Sequence, residues 1–133
     1  MNERHLVVRR VFTLSGEEQR VLETGRFLRV DFGRSIAVTG ETCAESVLLG
    51  RRGGQLRAFA NVCRHQAIPL DARAADEEDD VMTEDGRHLL CHAHGAIYRP
   101  SDGMCISGPC AGLALFAVPV EEVAEGIALT LGK

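Results

Sequence analysis

Residues 61–71 read NVCRHQAIPLD, and residues 91–110 read CHAHGAIYRPSDGMCISGPC. The first stretch holds a Cys-x-His pair and the second a Cys-x-x-His pair. The four side chains of these pairs are Cys63, His65, Cys91 and His94. Thiolate and imidazole are ligands of both zinc and iron–sulfur clusters. The two stretches therefore predict a metal centre on two loops. It is either a structural zinc site or a 2Fe-2S cluster in which two His replace two Cys.

Short β-type runs surround these stretches and are separated by Gly- and Asp-rich turn signals. The runs cover residues 5–14, 27–32, 35–39, 46–49, 56–60, 88–91, 96–99, 113–120 and 127–131. Gly53-Gly54 lies between two of them and suits a tight hairpin. The pattern predicts an antiparallel all-β domain. Between Ser15 and Gly25 the sequence allows either a short helix, with Glu18 completing a capping box, or a plain turn.

Composition narrows the class of protein. A chain of 133 residues is one ordinary domain, and a net charge of −4 argues against a nucleic-acid binder. No apolar run approaches the length of a membrane span, and the N-terminus lacks the apolar core of a signal peptide. Five cysteines, an odd number, favour metal or redox chemistry over a disulfide framework. These features predict a cytoplasmic protein.

Three features together resemble the signature of the Rieske iron–sulfur family. They are the order of the two pairs, the His94-Gly95 step in the second pair, and Gly108-Pro109 downstream. The resemblance is strong over roughly residues 56–120 and weak over the first fifty. It implies a 2Fe-2S cluster with two Cys and two His ligands. Cys63 and Cys91 would bind one iron, and His65 and His94 the other. The implied fold is a Rieske-like antiparallel β-sandwich of small sheets, with a cluster-binding subdomain formed by two loops.

The same resemblance implies a single domain over residues 1–133. Base sheets would occupy about 1–60 and 111–133, and the cluster-binding part about 61–110. Residues 71–85 form an acidic insertion with a net charge of −7, predicted to be a surface loop or an extended hairpin. Such a segment is a solvated loop, a surface that attracts a basic partner, or a strap folded onto the positive remainder of the chain.

The chain departs from the family pattern at three positions within the loops. Ala67 stands where Gly is frequent, and Arg64 and His92 stand where Pro is common. His92 is a spare imidazole near the predicted cluster. It is not expected to be a ligand, because the matching register uses His94.

Other cysteines and histidines have plainer interpretations. Cys105 and Cys110 are predicted to be small buried residues beside the cluster, with a disulfide or an extra ligand as alternatives. Cys43 is interpreted as an incidental thiol. His5 and His88 are expected on strand surfaces.

Tyr98 is the only tyrosine of the chain. In high-potential Rieske proteins a Tyr at the matching place donates a hydrogen bond to a cysteine sulfur, and simple packing is the alternative here. A Ser hydroxyl and a loop-bridging disulfide also occur in those proteins. The matching positions are Ala96, Ile68 and Ala93, so these contacts are expected to be absent.

The resemblance implies a soluble electron carrier, not an enzyme in itself: a Rieske-type ferredoxin of an oxygenase or reductase system. Its partners would be a donor reductase, such as a flavoprotein, and an acceptor oxygenase or reductase, with no nucleic acid and no membrane span. Two alternatives stay open. One is a zinc-stapled binding module that uses the same four residues, and the other is a redox-sensing regulatory subunit.

Overall fold

A computed structural model describes residues 7–65, 67–71 and 81–132 of the chain. These residues form mainly β-strands. The elements in chain order are β1 (Val7–Phe12), α1 (Gly16–Glu23), β2 (Leu28–Thr39), β3 (Thr42–Arg52), β4 (Gln55–Ala60), β5 (Leu89–Leu90), β6 (Ile97–Tyr98), β7 (Cys105–Ser107), β8 (Val120–Val123) and β9 (Gly126–Gly132).

The strands form three antiparallel sheets of three strands each, ordered β1-β9-β8, β2-β3-β4 and β5-β6-β7. The first sheet joins the two ends of the described chain, because β1 pairs along its whole length with β9. The second is a meander of consecutive strands. The third is small and carries the segments around the predicted loops. Small antiparallel sheets confirm the predicted fold class.

The hairpin between β3 and β4 turns at Gly53 and Gly54, whose φ angles are 60° and 79°. Two consecutive residues at positive φ define a turn whose twist matches that of the flanking strands. Arg52 and Gln55 close the ladder on either side. The Gly-Gly hairpin predicted from the sequence is therefore present.

Strand β2 joins two runs that the sequence predicts as separate strands. Its pairing with β3 shifts register between Asp31 and Ile36, and Gly33 lies inside this interval at φ 82°. A bulge at a glycine inserts extra residues without ending the strand. The local break in the hydrophobic pattern is therefore an irregularity within one strand.

Helix α1 resolves the choice between helix and turn. The Glu18 backbone N–H donates to the Ser15 hydroxyl at 3.0 Å, and the Ser15 N–H donates to a Glu18 carboxylate oxygen at 2.9 Å. The reciprocal bonds satisfy two N–H groups that a helix start leaves without partners. Leu22 is buried in the core, and Gly25 follows the helix at φ 87°. In the described ranges no helix is long and apolar enough to cross a membrane.

The buried side chains form two clusters. One lies between the two larger sheets and includes Val47, Leu49 and Leu129. The other surrounds the small sheet and includes Phe59, Leu89 and Tyr98, together with four of the five cysteines. Strand β4 supplies alternate residues to both clusters, so the small sheet is packed directly against the base of the domain.

The predicted strand at 113–120 is wrong for most of its length. Only single bridges occur there, at Ala114 and Ala117, before β8 begins at Val120. Leu115 packs in the cluster around the small sheet, and Val118 packs between the larger sheets. The segment is therefore apolar because it contributes side chains to both buried clusters, and not because it forms a strand. Strand β7 was not predicted.

The acidic insertion is only partly described, because residues 72–80 lie outside the described ranges. Two of its described residues, Val81 and Met82, are buried at 3% and 4% exposure, whereas Glu84 and Asp85 are exposed. The Leu90 N–H donates to the Val81 carbonyl at 2.7 Å, and Met82 bridges Leu89. Two apolar residues at the end of an acidic run thus extend the small sheet. Of the two predicted arrangements, surface loop or extended hairpin, these two residues lie in an antiparallel pairing with β5.

Candidate metal centre

The first loop follows β4 and is held at both ends by Asn61, which is 1% exposed. The Leu70 N–H donates to Asn61 Oδ1 at 2.9 Å, and Asn61 Nδ2 donates to the Ser46 hydroxyl at 3.0 Å. Inside the loop, the Cys63 N–H donates to the Ile68 carbonyl at 2.6 Å. A buried amide with partners on β3 and on the end of the loop fixes where the loop leaves the sheet.

Ala67 has a φ of 59°, the single positive value among described residues other than glycine. Its N–H closes a turn onto the Cys63 carbonyl at 2.8 Å. This left-handed conformation suits glycine, since a Cβ there is strained. The turn gives a physical reason for the Gly that the sequence resemblance leads us to expect at this position.

The second loop runs from Cys91 to Gly95, between β5 and β6. The Cys91 N–H donates to the Ala96 carbonyl and the Gly95 N–H to the Cys91 carbonyl, both at 2.9 Å. The His92 N–H donates to the Leu70 carbonyl at 2.8 Å, which joins the second loop to the end of the first. The backbone therefore fixes the relative position of the two loops.

The four predicted ligands lie in two unlike pairs, one of thiols and one of imidazoles. Cys63 and Cys91 are buried, at 2% and 0% exposure, and their thiol groups interact. His65 and His94 are exposed, and their ring centroids lie 4.9 Å apart at an interplanar angle of 81°. The site has a buried sulfur side and a solvent-facing imidazole side. Among the described residues, no group of three or more His, Cys, Asp or Glu surrounds a single point.

The pKa of the Cys91 thiol is raised to about 11, mainly by burial and with a further contribution from the neighbouring Cys63 thiol. The N–H groups of Ala93 and His94 act in the opposite direction, because they donate to the Cys91 sulfur. These donors stabilise negative charge on sulfur. Metal binding must displace the thiol proton. The loop already supplies N–H groups that can donate hydrogen bonds to the resulting thiolate.

Tyr98 connects the first loop to the third segment of the site. Its hydroxyl lies 3.3 Å from Cys63 Sγ and 3.0 Å from Cys110 Sγ, and it accepts the Arg64 N–H at 3.0 Å. Burial raises the pKa of Tyr98 above its ordinary value, so the hydroxyl stays protonated. Of the two alternatives for this residue, the sulfur contact is the one observed.

Arg64 holds the first loop to the segment after β7. Its guanidinium donates to the Ala114 carbonyl at 2.6 Å and lies 4.3 Å from the centroid of the Phe116 ring. A guanidinium over an aromatic face is attracted by the ring quadrupole. From the sequence, Arg64 stands out only as a departure from a common Pro, and this role was not predicted.

The Gly108-Pro109 turn lies directly against the second loop. A Cβ on Gly108 would come within 2.9 Å of the Ala96 Cα, and Gly108 has a φ of 104°. Only glycine allows this approach. Ala96 is fully buried below the turn, and Ile68 and Ala93 pack at the edge of the same cluster.

The remaining predicted residues lie in different places. Cys43 is an exposed free thiol on β3, and His88 is half-buried before β5. His92 is half-buried in the second loop, and His5 lies outside the described residues. Asn61 was not singled out from the sequence. The signal available was a polar residue immediately after a buried strand run, which is too common to identify a loop anchor by itself.

The donor set fits a 2Fe-2S cluster. Two thiols on the buried side and two imidazoles on the exposed side provide two ligand pairs of different chemistry, one for each of two irons. The amide groups around Cys91 and the Tyr98 hydroxyl are donors that stabilise a charged sulfur.

Comparison with solved structures supports the same fold. The terminal oxygenase of carbazole 1,9a-dioxygenase from Nocardioides aromaticivorans matches with 20% identity and a TM-score of 0.52, covering 82% of this chain and 27% of that one. The corresponding oxygenase from a Novosphingobium species gives 22% identity and a TM-score of 0.52, over 87% of this chain and 35% of that one. The reduced complex between oxygenase and ferredoxin in carbazole 1,9a-dioxygenase gives 20% identity and a TM-score of 0.54, over 86% and 33%.

The chain thus spans about a third of the length of these structures, and the likeness establishes the fold. No curated protein matches the sequence. The family model described as Rieske [2Fe-2S] domain matches residues 18–120. This match includes both loops, the small sheet and most of the base. The chain belongs to the Rieske [2Fe-2S] domain family, whose members bind a 2Fe-2S cluster through two Cys and two His and carry electrons.

Proposed function

We propose that Cys63 and Cys91 bind one iron of the cluster and that His65 and His94 bind the other. The proposal is supported by the burial of the two thiols, by their mutual contact and by the adjacent exposed imidazoles. Tyr98 and the N–H groups of the second loop would stabilise charge on the ligand sulfurs. His92 and Cys43 take no part.

The proposed function is one-electron transfer as the ferredoxin component of an oxygenase or reductase system. The observation that carries it is the exposed pair of imidazoles, since a partner that approaches this face would meet the two side chains proposed to hold one iron. The bound cluster supplies a reversible one-electron couple. Neutral imidazoles in place of thiolates make the cluster less negative, so it accepts an electron more readily than a cluster with four Cys.

The proposed partners are a reductase, such as a flavoprotein, as electron donor and an oxygenase or reductase as acceptor, in the cytoplasm. The acidic insertion supports a basic partner surface, because its net charge of −7 stands in the segment that joins the two loops. Its first residue, Asp71, accepts from the Arg29 guanidinium at 2.7 Å and from Asn61 Nδ2 at 3.3 Å. Asp71, the first residue of the segment, therefore lies at the anchor of the first loop.

A second candidate function is the Rieske part of a terminal oxygenase component. The similar solved structures favour it, because two of them are terminal oxygenases of carbazole 1,9a-dioxygenase. Both candidates hold only the two irons of the cluster on this chain, so electron transfer to a separate oxygenase component is the measurement that separates them. Rapid-mixing reoxidation by a separate oxygenase component, first order in that component, would support the carrier.

The ligand assignment is tested on the purified protein. We expect a red-brown protein with two irons and two acid-labile sulfides per chain. Cys63→Ser and Cys91→Ser should each remove the colour and the iron. Cys43→Ser is the matched control, since it changes an exposed cysteine far from the loops in sequence and should retain both. A colourless wild-type protein with one zinc per chain would support the zinc alternative and overturn the assignment.

A further inference from the structure

Cys105 and Cys110 form a thiol pair next to the site. Their sulfur atoms lie 3.2 Å apart, and both residues are buried, at 2% and 4% exposure. The pair is held by a backbone ladder: the Gly112 N–H donates to the Cys105 carbonyl and the Leu113 N–H to the Cys110 carbonyl, each at 3.0 Å. Two sulfurs in contact within one turn need to approach by only about 1 Å to reach bonding distance.

The same pair reaches a proposed cluster ligand through one side chain. Cys110 Sγ lies 3.0 Å from the Tyr98 hydroxyl, which lies 3.3 Å from Cys63 Sγ. The chain of contacts is therefore Cys105, Cys110, Tyr98 and Cys63. Ile68 and Ala93 occupy the positions where the resemblance places a loop-bridging disulfide, so this pair is a different feature of this chain.

We propose that Cys105 and Cys110 are a reversible redox modification site. A peroxide oxidises the two thiols to a disulfide, and the disulfide changes the hydrogen bond that Tyr98 makes to Cys63. In the first step the Cys110 sulfur attacks one peroxide oxygen, the O–O bond breaks, and a sulfenic acid and water form. In the second step the Cys105 sulfur attacks the Cys110 sulfur, the S–S bond forms, and a second water leaves. Two electrons pass from the thiols to hydrogen peroxide, and an external dithiol reverses the change.

Access to the pair is through the turn at 108–112. The other residues of this turn are exposed, whereas Cys110 directs its sulfur inward. Burial raises the pKa of the Cys110 thiol to about 11, so little thiolate is present at neutral pH. The pair should react more slowly than the exposed Cys43, which has no sulfur partner among the described residues.

The effect on the cluster follows from a single proton. The Tyr98 hydroxyl has one hydrogen and two sulfur neighbours, while its oxygen already accepts the Arg64 N–H. With Cys110 as a thiol that donates to Cys105, both Cys110 and Cys63 compete for the Tyr98 proton. The Cys110 sulfur in a disulfide accepts a hydrogen bond less well than it does as a thiol. Oxidation therefore directs the Tyr98 hydroxyl proton to the Cys63 sulfur. A stronger bond to a ligand sulfur stabilises the reduced cluster and raises its potential.

The test uses the cluster-loaded Cys43→Ser protein, treated with a small excess of hydrogen peroxide. We expect paired loss of alkylation at Cys105 and Cys110, with the mass of the joining peptide lowered by two hydrogens. The visible spectrum should be retained, and the cluster potential should shift upward and return after dithiothreitol. Thiol counting does not depend on which partners the protein serves. A failure of the disulfide proposal can therefore be distinguished from a failure of the proposed carrier role.

Two variants are the controls. Cys105→Ala should prevent the disulfide and leave the potential insensitive to peroxide. Tyr98→Phe should still form the disulfide but lose the shift in potential. The inference is overturned if both thiols remain alkylatable until the cluster bleaches, if Cys110 is oxidised alone to the sulfinic acid, or if the disulfide forms in the wild-type background without any shift.

Discussion

Replacing Tyr98 by Phe removes one oxygen atom from the centre of the site. The ring stays in place, because Tyr98 is fully buried in the cluster around the small sheet. Three contacts disappear together: those with Cys63 Sγ at 3.3 Å, with Cys110 Sγ at 3.0 Å and with the Arg64 N–H at 3.0 Å. The first acts on the cluster potential, and the last acts on the stability of the loop.

The expected change in potential follows from one hydrogen bond. The bond to sulfur is stronger in the reduced state, which carries more negative charge, and a difference of about 1 kcal/mol between the two states is typical of one such bond. Since about 1.4 kcal/mol corresponds to about 59 mV for one electron, the potential should fall by about 40 mV. A redox titration followed by the spectrum of the reduced cluster measures it.

The same substitution should lower the free energy of unfolding. The Arg64 N–H loses its acceptor in a half-buried position, which costs about 1–3 kcal/mol. Phe59→Leu is a matched control, because Phe59 belongs to the same cluster and stacks on Phe27 at a centroid distance of 6.2 Å, without a hydrogen bond to sulfur. It should lower the thermal midpoint and leave the potential unchanged. An unchanged potential in Tyr98→Phe, or an equal shift in both variants, would refute the reasoning.

The remaining predictions concern the loops and the acidic insertion. Ala67→Gly should raise the free energy of unfolding by about 0.5 kcal/mol, since relief of a positive φ exceeds the entropy that glycine adds to the unfolded chain; a lower denaturant midpoint would contradict this. Ala96→Ser should raise the potential by about 40 mV, because the added hydroxyl would donate to a cluster sulfur, and voltammetry that shows no rise would contradict this. Replacing the four acids at 77–80, which lie outside the described residues, with Ser should slow electron transfer to a basic partner and flatten its salt dependence; a rate and salt slope equal to wild type with the cluster intact would exclude steering.

The sequence by itself determined the features that depend on residues close to one another in the chain. The spacing of the two Cys–His pairs predicted a two-loop centre, and the family match covers both loops. Gly53-Gly54 predicted its hairpin, because two positive φ angles in a row need glycine. Ser15 and Glu18 are three residues apart, so the capping box could be recognised, although only packing of Leu22 decided between helix and turn.

Long-range packing decided the rest. An apolar run at 113–120 has the same pattern whether it pairs as a strand or crosses between two cores, and only the positions of Leu115 and Val118 distinguish these. Val81 and Met82 follow an acidic run yet are buried, because β5 offers them a partner strand.

The contact that organises the site is also tertiary. The sequence resemblance offered a contact of Tyr98 with one cysteine sulfur as an alternative to simple packing. Tyr98 is 35 residues from Cys63 and 12 from Cys110, so only the packing shows that its hydroxyl contacts both sulfurs. A ligand is recognisable from sequence because its residue type and spacing are fixed by the metal. The hydrogen bonds that tune the ligand depend instead on how separate segments pack, and that is set only when the small sheet forms against the base.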